Sequence, residues 1–154
     1  MTDNAIVTNR QARRDYAILG AIEAGIELRG TEVKSLRAKG ANLKESFARI
    51  DKGEVFLYNF YISPYEFGNI HNVDPLRPRK LLLHKREILK LYTHNQVKGH
   101  TLIPLRVYFK RGFAKVELGL AKGKKLYDRR EAIKRREARR EMDRVLKSRK
   151  KSRN

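Results

Sequence analysis

The order of residues predicts a mainly β chain, an antiparallel barrel of about six strands with short flanking α-helices and a basic C-terminal tail. Three observations carry that expectation. Apolar and polar residues alternate with a period of two over long stretches before residue 121, the mark of strands with one inward face. Asp51-Lys52-Gly53 and Lys110-Arg111-Gly112 each place glycine where a hairpin turn requires left-handed backbone. After Ala121 the apolar pattern gives way to a dense run of cations.

Residues 1–9 read as a frayed, flexible end. From Tyr16, the residues Ile18, Ile22, Ala24, Ile26 and Leu28 share one parity, with Glu23, Glu27 and Arg29 on the other. One long strand or two pieces result, and Gly20 and Gly25 allow the bending a small barrel needs. Gly30-Thr31 stops the strand, and Thr31 is a suitable N-cap for a short helix over 32–39 with Val33 and Leu36 as its inner side. Glu32 suits the positive start of that helix, and Gly40 stands where a left-handed C-cap belongs. Residues 46–50 and 54–62 form the arms of the first hairpin, and the second arm is apolar on nearly both faces, as a central strand would be. Residues 63–79, with Pro64, Pro75 and Pro78, read as a long loop. A short strand over 80–83 follows, then a helix over 85–96 with Ile88, Leu89, Leu91 and Tyr92 on its apolar side. The second hairpin comprises 101–109 and 113–121, with Ile103, Leu105, Val107 and Phe109 sharing one face. These short strands with interposed helices suit an OB-like barrel, an architecture that binds nucleic acid across one face. An open α+β sheet fits the same pattern equally well.

Charge narrows the partner. Lys plus Arg number 37 against 17 Asp plus Glu, a formal net charge of +20 in 154 residues. Such an excess repels itself unless a polyanion neutralises it, and phosphate is the natural polyanion. From Lys122 to Asn154 there are 16 Lys or Arg and 5 Asp or Glu, so this fifth of the chain supplies +11. Ala138, Met142, Val145 and Leu146 keep helical spacing there, but the apolar stripe is too thin to dock firmly. The expected organisation is a flexible 1–9, an RNA-binding barrel over 10–126, and a tail over 127–154 that is disordered when free and helical on a second RNA surface. A membrane surface is the weaker alternative partner, because neither a strongly amphipathic basic helix nor a lipid anchor is evident. The N-terminus lacks the form of a secretory signal, no apolar run approaches bilayer length, and there is no cysteine. A soluble, cytoplasmic monomer is expected.

Residues that carry chemistry are sparse. His71, His84, His94 and His100 show no metal-ligand spacing, and Ala121-Lys122-Gly123-Lys124-Lys125 lacks the pattern of a nucleotide-binding loop. No enzyme, cofactor or metal is expected. Tyr127 lies among cations, an arrangement that stacks an unpaired base while Lys and Arg hold phosphates. Asp128 either orients Arg129 and Arg130 or caps a tail helix. Glu23 is exposed by parity, either an ordinary surface carboxylate or an acceptor for a base edge or ribose hydroxyl. A permanent ribosomal protein whose tail threads ribosomal RNA is the rival reading from another class.

Four stretches taken together add a resemblance: Glu23-Ala24-Gly25-Ile26, Gly30-Thr31-Glu32-Val33-Lys34-Ser35-Leu36-Arg37, Arg79-Lys80-Leu81-Leu82-Leu83 and Ala121-Lys122-Gly123-Lys124-Lys125. In this order, from about Asn9 to Arg130, the chain resembles the bacterial SsrA-binding protein (SmpB) family. The resemblance implies an OB-like barrel that binds the tRNA-like domain of transfer-messenger RNA (SsrA RNA). The complex enters ribosomes stalled on messages without a stop codon and mimics the anticodon arm in the decoding centre, so that the unfinished peptide is tagged for proteolysis. Implied partners are that RNA, small-subunit ribosomal RNA at the decoding centre and messenger channel, and, through the RNA, EF-Tu and alanyl-tRNA synthetase. RNA contacts carry over to Glu23, Gly25, Leu82, Lys115, Lys122, Gly123, Lys124 and Lys125. Contacts of the tail with the ribosome carry over to Tyr127, Asp128, Arg129, Arg130, Val145 and Leu146. Where the family often has Asp-Lys-Arg, this chain has Asp128-Arg129-Arg130, which keeps the charge but offers a planar fork in place of a point charge. Leu82 reads equally well as plain core.

Overall fold

The computed structural model describes residues 5–66, 73–123 and 136–148. The expected alternation of residues 16–26 folds as one strand, β2 (Tyr16–Ile26), after β1 (Ala5–Thr8) and a single helical turn, α1 (Ala12–Asp15). Then come α2 (Gly30–Arg37), β3 (Ala41–Asn42), β4 (Phe47–Asp51), β5 (Glu54–Tyr58), β6 (Tyr61–Ile62), β7 (Arg79–Leu82), α3 (Lys85–Asn95), β8 (His100–Lys110) and β9 (Phe113–Gly123). The main sheet runs β1-β8-β4-β5-β7-β2-β9, and β9 also pairs with β8. That pairing closes six strands into an antiparallel ring, so the barrel prevails over the open sheet. Closure removes the edges that an open sheet would leave for aggregation. Among the described residues no helix is long and apolar enough to cross a membrane.

Both hairpins turn where glycine stands, at Lys52 (φ 50°) with Gly53 (φ 77°) and at Arg111 (φ 52°) with Gly112 (φ 82°). Inward residues of alternate parity fill the ring. Val55, Leu57, Leu102, Val107, Val116 and Leu118 are fully buried, and Leu36 of α2 and Leu91 of α3 join the same core. Several expectations need correction. Residues 5–8 are not frayed: they pair antiparallel with β8, Ile6 and Val7 pack against the core, and the Asn9 side chain donates to the Pro104 carbonyl at 2.9 Å. Ile103, Leu105 and Val107 do not share one face. A register shift between Pro104 and Arg106 inserts one residue, and the inversion sends Ile103 and Leu105 to a second cluster with Ala12 and Ala121 while Val107 enters the barrel. A matching shift between Ile18 and Gly20 on β2 turns Ile18 towards that same cluster. Leu89 and Tyr92 of α3 are 65% and 51% exposed, because only Leu91, with Ile88 beside it, meets the barrel.

Helix α2 starts two residues earlier than expected and is capped differently. Its N-cap is Arg29, whose backbone N–H donates to Glu32 Oε1 at 2.8 Å. The left-handed residue after it is Lys39 (φ 62°), not Gly40. Glycine at position 40 answers a close approach instead, since a Cβ there would lie 2.2 Å from Ser63 Oγ. Glu32 does more than favour the helix start. Its side chain is nearly buried against Arg79, which is wholly buried and donates through Nε to Oε2 at 2.5 Å, while Arg77 Nε lies 3.2 Å from both carboxylate oxygens. Arg79 also donates to the carbonyls of Phe60 and Pro75. One buried carboxylate thus ties the start of α2 to the end of the proline-rich loop and the start of β7. Burial opposes its charge, yet the hydrogen bonds from Arg77, the Arg29 backbone and Arg79 hold the carboxyl below its ordinary value.

Residues 136–148 form a further helix, α4, with every residue exposed. Met142 is 70%, Val145 49% and Leu146 58% exposed, so the thin stripe read from the sequence faces solvent.

Candidate RNA interface

Cross-strand register assembles the candidate site. Gly25 on β2 lies opposite Leu82 on β7 on one side and opposite Lys115 on β9 on the other. Glu23 is two residues back on the same face. These four residues, with His84 and Glu87 at the start of α3, line one open cleft of about 650 Å³. Glycine shapes its floor: a Cβ on Gly25 would sit 3.2 Å from Leu82 Cβ, forcing that side chain to shift. Leu82 is 51% exposed whereas Leu81, its neighbour, is buried. Leu82 is therefore a projecting apolar contact, and the reading of it as plain core is corrected. The strand's inward parity is satisfied by Arg79 and Leu81.

Glu23 is positioned by residues that carried no signal in the sequence. Tyr108 Oη donates to Glu23 Oε2 at 2.5 Å, and Lys110 Nζ lies 3.4 Å from the same oxygen. Both stand on the face of β8 opposite the inward Val107, and the pairing of Tyr108 with Lys115 sets that end of the strand beside Glu23. The hydrogen bond from Tyr108 lowers the Glu23 carboxyl from its ordinary value; Lys110 and Lys115 act in the same sense against the opposing effect of burial. Burial, then Glu23 itself, pushes the Tyr108 phenol well above its ordinary range. At neutral pH the pair is a carboxylate held by a neutral phenol. Oε1 has no protein partner among the described residues, so it can accept from a guanine edge or a ribose hydroxyl. Arg106 stacks over the Tyr108 ring at 4.5 Å and pairs with Glu117, stiffening the same strand face.

The remaining expected contacts do not all converge on this cleft. Lys122 and Gly123 lie at the other end of β9, opposite Ala17 and Tyr16 of β2, about 23 Å along the strand from Lys115. The Gly123 N–H donates to the Gly99 carbonyl at 3.1 Å, so the barrel proper extends to residue 123. Lys124, Lys125, Tyr127, Asp128, Arg129 and Arg130 lie outside the described residues. Val145 and Leu146 are exposed on α4. Of the histidines, His84 caps α3, its N–H donating to Glu87 Oε1 at 3.0 Å. His94 and His100 form a stacked pair at 4.3 Å whose His94 Nε2 meets the Thr101 and Ala121 carbonyls. His71 lies outside the described residues. No cluster of three or more metal-ligating side chains occurs among the described residues.

Comparison with known proteins places these features. The family model described as SmpB protein matches residues 6–148. The SsrA-binding protein of Caldicellulosiruptor bescii is 64% identical over 142 residues, covering 92% of this chain and 90% of the relative. That of Geobacillus thermodenitrificans is 59% identical over 146 residues, covering 95% and 94%. Among solved structures, a chain from one described as "tmRNA-SmpB: a journey to the center of the bacterial ribosome" is similar at 58% identity and TM-score 0.66, covering 76% of this chain and 82% of that one. The chain belongs to the SmpB family, the SsrA-binding proteins.

Proposed function

We propose that the barrel grips the tRNA-like domain of transfer-messenger RNA at the Glu23–Gly25–Leu82–Lys115 cleft and brings it to stalled ribosomes. The observation that carries this is the juxtaposition of an ionised acceptor, an apolar contact and a cation around a glycine floor. Glu23 accepts from a base edge or sugar, Leu82 packs on an unstacked base, and Lys115 holds phosphate. Shape and backbone contacts supply the rest, as is usual for structured RNA. The second half of the reading concerns the basic run from Lys122 through Lys124 and Lys125 to the tail residues Tyr127, Asp128, Arg129, Arg130, Val145 and Leu146. These lie along small-subunit ribosomal RNA at the decoding centre and in the messenger channel, where phosphate neutralises the +11 that otherwise repels itself. The chain acts as an adaptor, and peptidyl transfer belongs to the ribosome. EF-Tu and alanyl-tRNA synthetase meet it only through the RNA. The surplus of positive charge and action on ribosomes suit a cytoplasmic monomer.

Leu82→Ala and Lys115→Ala test the cleft without disturbing the core. Each is expected to weaken binding of a tRNA-like-domain transcript by roughly tenfold, the loss of one good base or phosphate contact. Thermal unfolding by circular dichroism should be unchanged, since both side chains project outward. Full affinity in both variants would remove the cleft from the interface.

A further inference from the structure

The barrel wall beyond the cleft carries a second arrangement suited to RNA. On β4 and β5, Val55 and Leu57 point inward and are fully buried, so Phe56 and Tyr58 face out. Their cross-strand partners Arg49 and Phe47 share that face, the pairs being Phe47 with Tyr58 and Arg49 with Phe56. Phe47 and Tyr58 stack with centroids 5.5 Å apart and planes 17° from parallel. On its other side Phe56 lies opposite Lys80 of β7. All three rings are partly exposed. Arg49 is exposed and has no ion-pair or hydrogen-bond partner among the described residues. Among the described residues the Lys80 ammonium meets only Glu54, at 3.3 Å in an exposed pair of the kind that exchanges readily for phosphate. Cross-strand stacking accounts for Phe47 with Tyr58 as a sheet-stabilising pair. It does not account for Phe56, an accessible ring set in a row between two outward cations.

From this geometry we infer that the outer face of β4, β5 and β7 is a stacking platform for unpaired bases of an RNA strand, with Phe56 and Tyr58 beneath the bases and Arg49 and Lys80 on the flanking phosphates. Rings supply a sequence-tolerant surface because every base has a π-face, and the cations track the backbone. The net charge of +20 favours a polyanion over an apolar peptide. Lys80 and Leu82 project from the same side of β7, about 7 Å apart, so the platform adjoins the cleft and extends its footprint over two more strands. The inference rests on RNA as the partner but not on the cleft being its site.

The test uses the full chain with two probes, fluorescein-labelled octaadenylate and a transcript of the tRNA-like domain. Phe56→Leu keeps apolar bulk and removes the aromatic face; Arg49→Glu reverses an exposed charge and disturbs no core contact. Each is expected to weaken octaadenylate binding about tenfold, within the range for losing one stacked base, with an unchanged melting transition. An equal loss by Phe56→Leu on the tRNA-like domain assigns the bases to transfer-messenger RNA, and a loss on octaadenylate alone assigns them to another RNA; both support the platform. Octaadenylate binding by Phe56→Leu within about twofold of the parent overturns it, and so does an effect confined to Arg49→Glu, which reduces the face to charge attraction. If instead Leu82→Ala leaves tRNA-like-domain binding intact while Phe56→Leu weakens octaadenylate, the cleft fails and the platform stands.

Discussion

Deletion of residues 127–154 is expected to abolish peptide tagging on ribosomes stalled at the end of a stop-less message, yet leave affinity for the tRNA-like domain within about threefold, under about 1 kcal/mol. The segment holds 13 Lys or Arg and 5 Asp or Glu, a net +8. Its α4 helix exposes every residue, whereas all four cleft residues stand on β2, β7 and β9. What the deletion removes from barrel binding is long-range attraction, which physiological salt screens beyond about 8 Å. What it removes from the ribosome is the whole basic extension proposed to lie in the messenger channel. A reconstituted translation system scores tagging, and filter binding scores affinity. Loss of RNA affinity together with tagging would deny the division of labour. Substituting Asp128→Ala with Arg130→Ala should reproduce the tagging defect; normal tagging would leave Asp128 as a helix cap.

Glu32→Gln is expected to destabilise the barrel by about 3–5 kcal/mol, the cost of leaving a buried cation uncompensated. Arg79 has no exposed surface, and among the described residues its guanidinium would retain only the Phe60 and Pro75 carbonyls as strong acceptors. The urea midpoint should fall with little change in slope, because the surface exposed on unfolding is nearly the same. The pH dependence has a definite sign. The Glu32 carboxyl is held below its ordinary value of 4.5 in the fold, so its contribution is complete above that value and is lost as pH falls through the lower native one. The Gln variant should lack this part of the acid limb. An unchanged urea midpoint would show that Glu32 only starts a helix, as its sequence position alone suggests.

How far the chain could be read in advance depends on whether a feature is local. The alternation along Tyr16–Ile26 and the glycine turns at Gly53 and Gly112 are local, and each became the expected element. The helix over Lys85–Asn95 was legible as a period, but which of its apolar residues are covered was not. Leu89 and Tyr92 are left outside by the barrel's curvature. The strand Ala5–Thr8 is formed by its pairing with residues a hundred positions away, and four residues give no period to read. The single inserted residue at Pro104–Arg106 has no sequence mark beyond the proline itself, yet it decides that Ile103 and Leu105 leave the face of Val107. Glu32 read only as a charge suited to a helix start and Arg79 as the end of a loop, because burial of an ion pair is a property of the closed fold and not of either residue.

The candidate site divides in the same way. Parity alone gave the exposure of Glu23, and the family resemblance gave Gly25, Leu82 and Lys115 as its companions. Only the register of β2 with β7 and β9 sets all four around one cleft. Lys122 and Gly123, adjacent in the sequence pattern to the same basic run, lie at the far end of β9. The tail's part in the reading stands on charge and on helical spacing, and the exposed stripe of Met142, Val145 and Leu146 on α4 agrees with that spacing.

Sequencing the RNA that co-purifies with the full chain from bacterial cells is the most direct measurement. Transfer-messenger RNA as the enriched species is the predicted result, retained after deletion of 127–154 and depleted by Leu82→Ala with Lys115→Ala. Ribosomal RNA in stoichiometric amount through high-salt washing, with no enrichment of transfer-messenger RNA, would contradict it.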